Sequence, residues 1–165
     1  MFFLFLLGLL VAGFVHGKVF LSYKGPKLAE LILVYLLAGY CGITMVAVTV
    51  AGIVSPSFAA SMVGTEPGNP FQDFFLVAYM GMSIMALLCI WVRGTYLIAN
   101  VICWGIYWLG ATYIHMIDFH QAGNLSFNLG LAVFGAHGFV TVLLVIVLIL
   151  SFRGSTEPVL AKQED

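Results

Sequence analysis

Leu28–Val54, LAELILVYLLAGYCGITMVAVTVAGIV, runs for 27 residues with a single charged side chain, Glu30. A helix rises about 1.5 Å per residue, so such a run exceeds the roughly 30 Å hydrocarbon core of a bilayer. In lipid every backbone amide has to be satisfied within the segment, and a helix does that. Working outward, comparable runs occur at Phe2–Gly17, Phe74–Val92, Tyr96–Ile117 and Leu129–Phe152. The expected fold is all-α: a polytopic transmembrane helical bundle of about five helices over residues 1–152, with a flexible cytoplasmic tail at 153–165.

The composition agrees. Of 165 residues 62% are hydrophobic and only 8% charged, with a mean hydropathy of +1.11. A soluble domain carries roughly a quarter charged residues, so water could not solvate this surface all round. Lys and Arg total 6 against 7 Asp and Glu, and they are scattered, which excludes the basic footprint of a nucleic-acid binder. Cys41, Cys89 and Cys103 lie inside apolar runs without CxxC or metal-type spacing, so they read as small packing residues. The first run lacks a basic n-region and a small-x-small cleavage site, which favours a retained helix over a signal peptide.

Charge placement sets the orientation. Lys18, Lys24 and Lys27 fall in the first connection, Arg93 in the third, and Arg153 and Lys162 in the tail. The second and fourth connections hold no Lys or Arg. Five crossings put every basic residue on one side, which the positive-inside rule makes cytoplasmic. The predicted topology is N-terminus outside and C-terminus inside, in a cell membrane. Glu30 and His16, near the inner surface, are expected to pair with Lys18, Lys24 or Lys27. The segment Ser55–Asp73 reads as a long outer loop rich in Ser, Pro and Gly.

Helical-wheel placement separates the fourth helix into two faces. Asn100, Trp104, Tyr107, Trp108, Ala111, His115 and Asp118 gather on one; Ile98, Ile102, Ile106, Leu109, Tyr113 and Ile117 take the other. Lipid tolerates the second set, so the first should face protein or a polar cavity. A similar face on the third helix holds Gln72, Tyr79, Ser83 and Ala86, and Met80, Met82 and Met85 read as packing rather than as a soft-metal site. On the fifth, Asn128, Ala132, Gly135 and Ala136 form a small-residue stripe suited to close helix contact, within the bundle or with a partner or second copy.

The polar residues that this arrangement makes expensive are Gln72, Asp73, His115, Asp118, Asn124, Asn128 and His137. His115 and Asp118 stand three apart near the outer surface, where a carboxylate can orient an imidazole. His137 lies deeper, with His115 about 9 Å shallower by helical rise, so a haem held by the two histidines is disfavoured. HExxH and other standard metal spacings are missing.

Asn69-Pro70-Phe71-Gln72-Asp73, Gly110-Ala111 followed by His115, and Asn124-x-x-x-Asn128-x-Gly130 resemble the pattern of a family of small prokaryotic integral membrane proteins known as a domain of unknown function. The resemblance covers Asn69 to Leu150, the last three helices. The family pattern carries a carboxylate soon after the Phe-Gln pair, a place that falls to Asp73 here because Phe74 and Phe75 follow. The resemblance implies a compact helical bundle and a cluster around Gln72, His115, Asn124 and Asn128; it implies no activity.

Two readings of function remain. One is a non-enzymatic accessory, small-molecule-binding or transport protein whose polar stripe opens outward. The alternative is a membrane redox component or an enzyme using His115, Asp118 and His137 around a metal, haem or quinone. Missing nucleophile and metal spacings favour the first. The sequence assigns no cofactor, and the one partner it implies outright is the lipid bilayer.

Overall fold

A computed structural model describes residues 2–63, 66–122 and 137–153. Among these described residues seven α-helices follow in order: α1 Phe2–Val15, α2 Gly25–Tyr35, α3 Met45–Val54, α4 Pro56–Val63, α5 Pro70–Leu88, α6 Thr95–Ala122 and α7 Phe139–Phe152. Among the described residues there is no strand. The fold is an all-α helical bundle.

Two π-helical stretches, His16–Phe20 and Leu36–Thr44, extend α1 and join α2 to α3. The second makes Gly25–Val54 one continuous apolar helix of 30 residues. With Phe3–Phe20 and Thr95–Ile114 it is one of three helices among the described residues that are long and apolar enough to cross a membrane. Gln72–Leu88 and Phe139–Phe152 are shorter apolar helices.

The helix Gly25–Val54 is the axis of the bundle. Its first part lies between α1 and α7, while its π stretch and α3 pack along α5; α6 packs on α7 and also touches α5. Glycine permits the closest approaches. A Cβ on Gly39 would stand 2.5 Å from Leu9 Cδ2, and one on Gly42 would stand 2.7 Å from Leu87 Cδ2 and 3.3 Å from the Leu87 backbone nitrogen. The Phe3 and Phe139 rings meet at 5.9 Å, which puts the starts of α1 and α7 at the same end.

Several expected boundaries shift, each for a local reason. Ser55–Asp73 is not wholly loop: α4 forms within it, with Pro56 at its first position, where a missing N–H costs nothing. Amides of Phe58 and Ala59 return to the Ser55 carbonyl, and Ala59 and Ala60 are buried. Pro70 starts α5 in the same way, four residues before the expected Phe74, and the Gln72 amide reaches the Asn69 carbonyl at 2.8 Å. At its other end α5 stops at Leu88 rather than Val92. Amides of Cys89, Ile90 and Trp91 tighten onto carbonyls three residues back, and Gly94 then turns the chain at φ +68°. The tail expected at 153–165 lies outside the described residues after Arg153.

Candidate functional site: a buried aromatic and polar cluster

On α6 the sides separate. Trp104 and Trp108 are fully buried and Asn100 is 1% exposed, whereas Ile106 on the opposite side is 70% exposed, with Ile102 and Leu109 also open. On α5 Gln72, Leu76, Tyr79, Ser83 and Ala86 are buried, as the spacing of polar and small residues suggested. These two faces meet the π stretch of the axis helix, which contributes Tyr40 and Cys41, and the buried side of α7.

The result is a continuous run of rings. Phe75 stacks on Tyr79 at 5.2 Å, Tyr79 meets Trp104 edge-on at 5.4 Å, and Trp104 meets Trp108 at 5.0 Å. Trp108 then lies parallel to the His137 imidazole, 6.2 Å away with planes 6° apart. Tyr40 and Tyr107 flank the run, at 5.4 Å from Trp108 and 5.2 Å from Tyr79. Offset and edge-on geometries suit the ring quadrupoles, each such pair adding about 0.5–1.5 kcal/mol beyond its buried area.

The Ser and Thr hydroxyls of this interior are satisfied by their own helices. Thr49 donates to the Met45 carbonyl, Ser83 to Tyr79, Thr112 to Trp108 and Thr141 to His137, at 2.7–2.8 Å. This back-bonding is how a hydroxyl is buried on a helix without a partner elsewhere. Tyr79 Oη donates to Met45 Sδ at 2.9 Å. It also stands beside the Tyr107 hydroxyl and the Trp108 indole, though the latter does not reach hydrogen-bond geometry.

Four buried groups differ. Trp104 Nε1, Trp108 Nε1, Asn100 Oδ1 and Gln72 Oε1 have no hydrogen-bond partner. The amide nitrogens of the last two are used: Asn100 Nδ2 donates to the Tyr96 carbonyl at 3.1 Å, and Gln72 Nε2 to the Pro56 carbonyl at 2.9 Å. A buried unpaired polar atom costs about 1–3 kcal/mol, and more in surroundings free of water.

Of the residues expected to form an outer polar site, Gln72, Asp73 and His137 have described side chains. Gln72 is buried and ties α5 to α4. Asp73, its chain neighbour, is exposed. His137 is brought to Trp108. The side chains of His115 and Asp118 are not among those described, and Asn124 and Asn128, with the small-residue stripe to Ala136, lie outside the described residues. Among the described residues no group of three or more His, Cys, Asp or Glu side chains is placed to hold a metal ion. At the other end, His16 does not pair with a lysine; its Nδ1 meets the Tyr35 hydroxyl at 2.9 Å, because the ring points across to α2. Tyr40 and Phe75 join the rings without a signal in the sequence, where nothing marks one aromatic of an apolar helix as inward.

A model described as a family of unknown function (DUF6790) matches residues 1–157. The chain belongs to that family. The match takes in α1 and α2 as well, so it extends well beyond the Asn69–Leu150 stretch that carried the resemblance. No curated protein matches the chain, and no solved structure does.

Proposed function

We propose that this chain is an integral membrane protein, N-terminus outside and C-terminus cytoplasmic, that binds a small molecule in its interior without transforming it. The observation that carries this reading is the pair of buried, unpartnered indole N–H groups of Trp104 and Trp108, set in a run of rings that ends on His137. Two donors and the acceptor Asn100 Oδ1 lie along one face of α6. In a bilayer interior such groups call for a partner, since lipid provides none. A planar ligand bearing a carbonyl or carboxylate would accept from the indoles and lie against the aromatic run. Binding, and passage through the outer half of the bundle, need no nucleophile or metal.

Purification in mild detergent, denaturing extraction and mass spectrometry of the released small molecules test this directly. One planar acceptor should co-purify near one per chain with the native protein and be depleted from Asn100→Leu and Trp108→Phe, both still folded by circular dichroism. Extracts containing phospholipid alone, or the same molecule at unchanged yield from both variants, would sink the reading. A visible chromophore or a stoichiometric metal in the same preparation would replace it by the redox alternative.

A further inference from the structure

The end of the molecule away from Phe3 and Phe139 carries a second feature, unrelated to the aromatic run. A cleft of about 390 Å³ opens where the end of the first helix, the start of α2 and the α5–α6 turn converge. Its polar lining is His16, Tyr23, Lys27, Glu30 and Arg93, set beside the largely buried Leu31. Two tight reversals bring these residues together. Ser22 adopts φ +54° and Gly25 φ +51° between the first two helices, and Gly94 turns α5 into α6. The Tyr23 amide closes the first reversal onto the Gly17 carbonyl at 2.7 Å.

We propose that this cleft binds a phosphate-bearing group, with Lys27 and Arg93 as its cationic holders. Two permanent cations face one carboxylate, Glu30, so the lining is net positive. Arg93 is steadied by a bond from one Nη to the Ile90 carbonyl at 3.0 Å, which leaves its other N–H groups to grip a phosphate. Lys27, from the first turn of α2, supplies a point charge to the same lining. Glu30 and Tyr23 offer an acceptor and a hydroxyl to whatever the phosphate carries, such as the free hydroxyls of a glycerol headgroup. The volume falls within the roughly 300–1,000 Å³ of small-ligand pockets. Phe20, whose ring stands 6.4 Å from that of the lining residue His16, and its chain neighbour Val19 are exposed apolar residues suited to an acyl chain. Basic pockets between helices at the cytoplasmic side are where anionic lipid headgroups are held. The lipid form of the proposal rests on the membrane reading above; the soluble-phosphate form does not.

The test uses the full chain in a neutral detergent, titrated with phosphatidylglycerol, phosphatidylcholine and glycerol 3-phosphate and followed by native mass spectrometry. Saturable binding of phosphatidylglycerol over phosphatidylcholine identifies a lipid occupant; saturable binding of glycerol 3-phosphate identifies a soluble one. Either supports the proposal, provided that Lys27→Gln and Arg93→Gln each weaken it about ten-fold or more, the effect of losing one charge-assisted hydrogen bond. Lys18→Gln and Lys24→Gln, both outside the cleft, should leave it within about two-fold by the same reasoning. Binding of neither phosphate, or equal weakening by all four variants, overturns the proposal, the latter because it means diffuse surface charge. Melting curves without ligand check each variant for folding, and Lys27→Arg, which keeps the charge, should retain most of the binding.

Discussion

α6 and the helix Gly25–Val54 are both long and apolar, yet one declares its inward side and the other does not. Over its apolar span α6 is 33% buried, and Asn100, Trp104 and Trp108 mark the buried side in the sequence. Gly25–Val54 is 56% buried, the most enclosed of the three long helices described, and beyond Glu30 it carries no charged side chain, Asn, Gln or Trp to mark a side. Its contacts are made by absence of side chain, at Gly39 and Gly42, and by a π stretch that reorients Tyr40 and Cys41. Hydropathy therefore reports that a helix can span lipid, whereas the position of polar and aromatic groups reports which way it faces. A helix that is apolar on all sides has no such sign.

The sharpest way to break this contrast is Trp104→Ala. Trp104 has no exposed surface and touches Tyr79, Tyr107 and Trp108, so truncation opens a cavity at the centre of the ring run. A cost of about 3–5 kcal/mol is expected for a buried Trp→Ala change. Detergent thermal melts should show the largest loss of any single α6 variant. An unchanged melt would mean that the buried face of α6 is not what holds the helix.

On the far side of the same helix, Ile106→Lys tests the membrane reading itself. Ile106 is 70% exposed and lies near the middle of the apolar span Thr95–Ile114. Facing lipid, a lysine there costs about 2.5–3.5 kcal/mol on insertion scales; facing water it would cost next to nothing. Membrane-fraction yield should fall sharply for Lys and stay level for Ile106→Leu. Equal yields would take this face out of the bilayer.

Gly42→Val addresses the unmarked helix. Its new side chain would meet Leu87, with backbone as well as side-chain atoms close, so α5 has to move. Overpacking of this kind costs about 1–3 kcal/mol. If Gly42→Val melts like the parent, the axis helix and α5 are farther apart than the packing described here.

How much was legible follows the same division. Fold class came from apolar run lengths, and the faces of α5 and α6 from Tyr79, Ser83, Asn100 and the two tryptophans. α4 was missed because a composition rich in Ser, Pro and Gly reads as loop, although Pro56 sits where a helix accepts proline. The convergence of Lys27 and Arg93 was half legible. Topology put both on one side, but only the two reversals near Ser22 and Gly94 make a cleft of them. The cluster expected around Gln72, His115, Asn124 and Asn128 draws on a following segment as well as on α5 and α6, and spacing along one helix carries no information about such a segment; of the four, Gln72 alone has a described side chain.

The smallest expected effect lies where the first helix meets the axis helix. His16 Nδ1 and Tyr35 Oη meet at 2.9 Å, and the two rings contact edge-on at 5.9 Å. The bond ties the end of the first helix, which is only 17% buried, to Tyr35 in the well-buried stretch 31–42 of the axis helix. Tyr35→Phe keeps the ring contact and removes the hydroxyl alone. His16 is partly open and lines the cleft, so water can take up its nitrogen once the tyrosine oxygen is gone. The loss should therefore stay near the usual net worth of one hydrogen bond, about 0.5–1.5 kcal/mol, rather than the full cost of a buried orphan. Thermal melts should show a drop of a few degrees, and hydrogen exchange should quicken at the end of the first helix before it does anywhere in Gly25–Val54. Faster exchange across both helices would mean that they open as one unit, so that the weakly buried helix is held by more than this bond and its few apolar contacts.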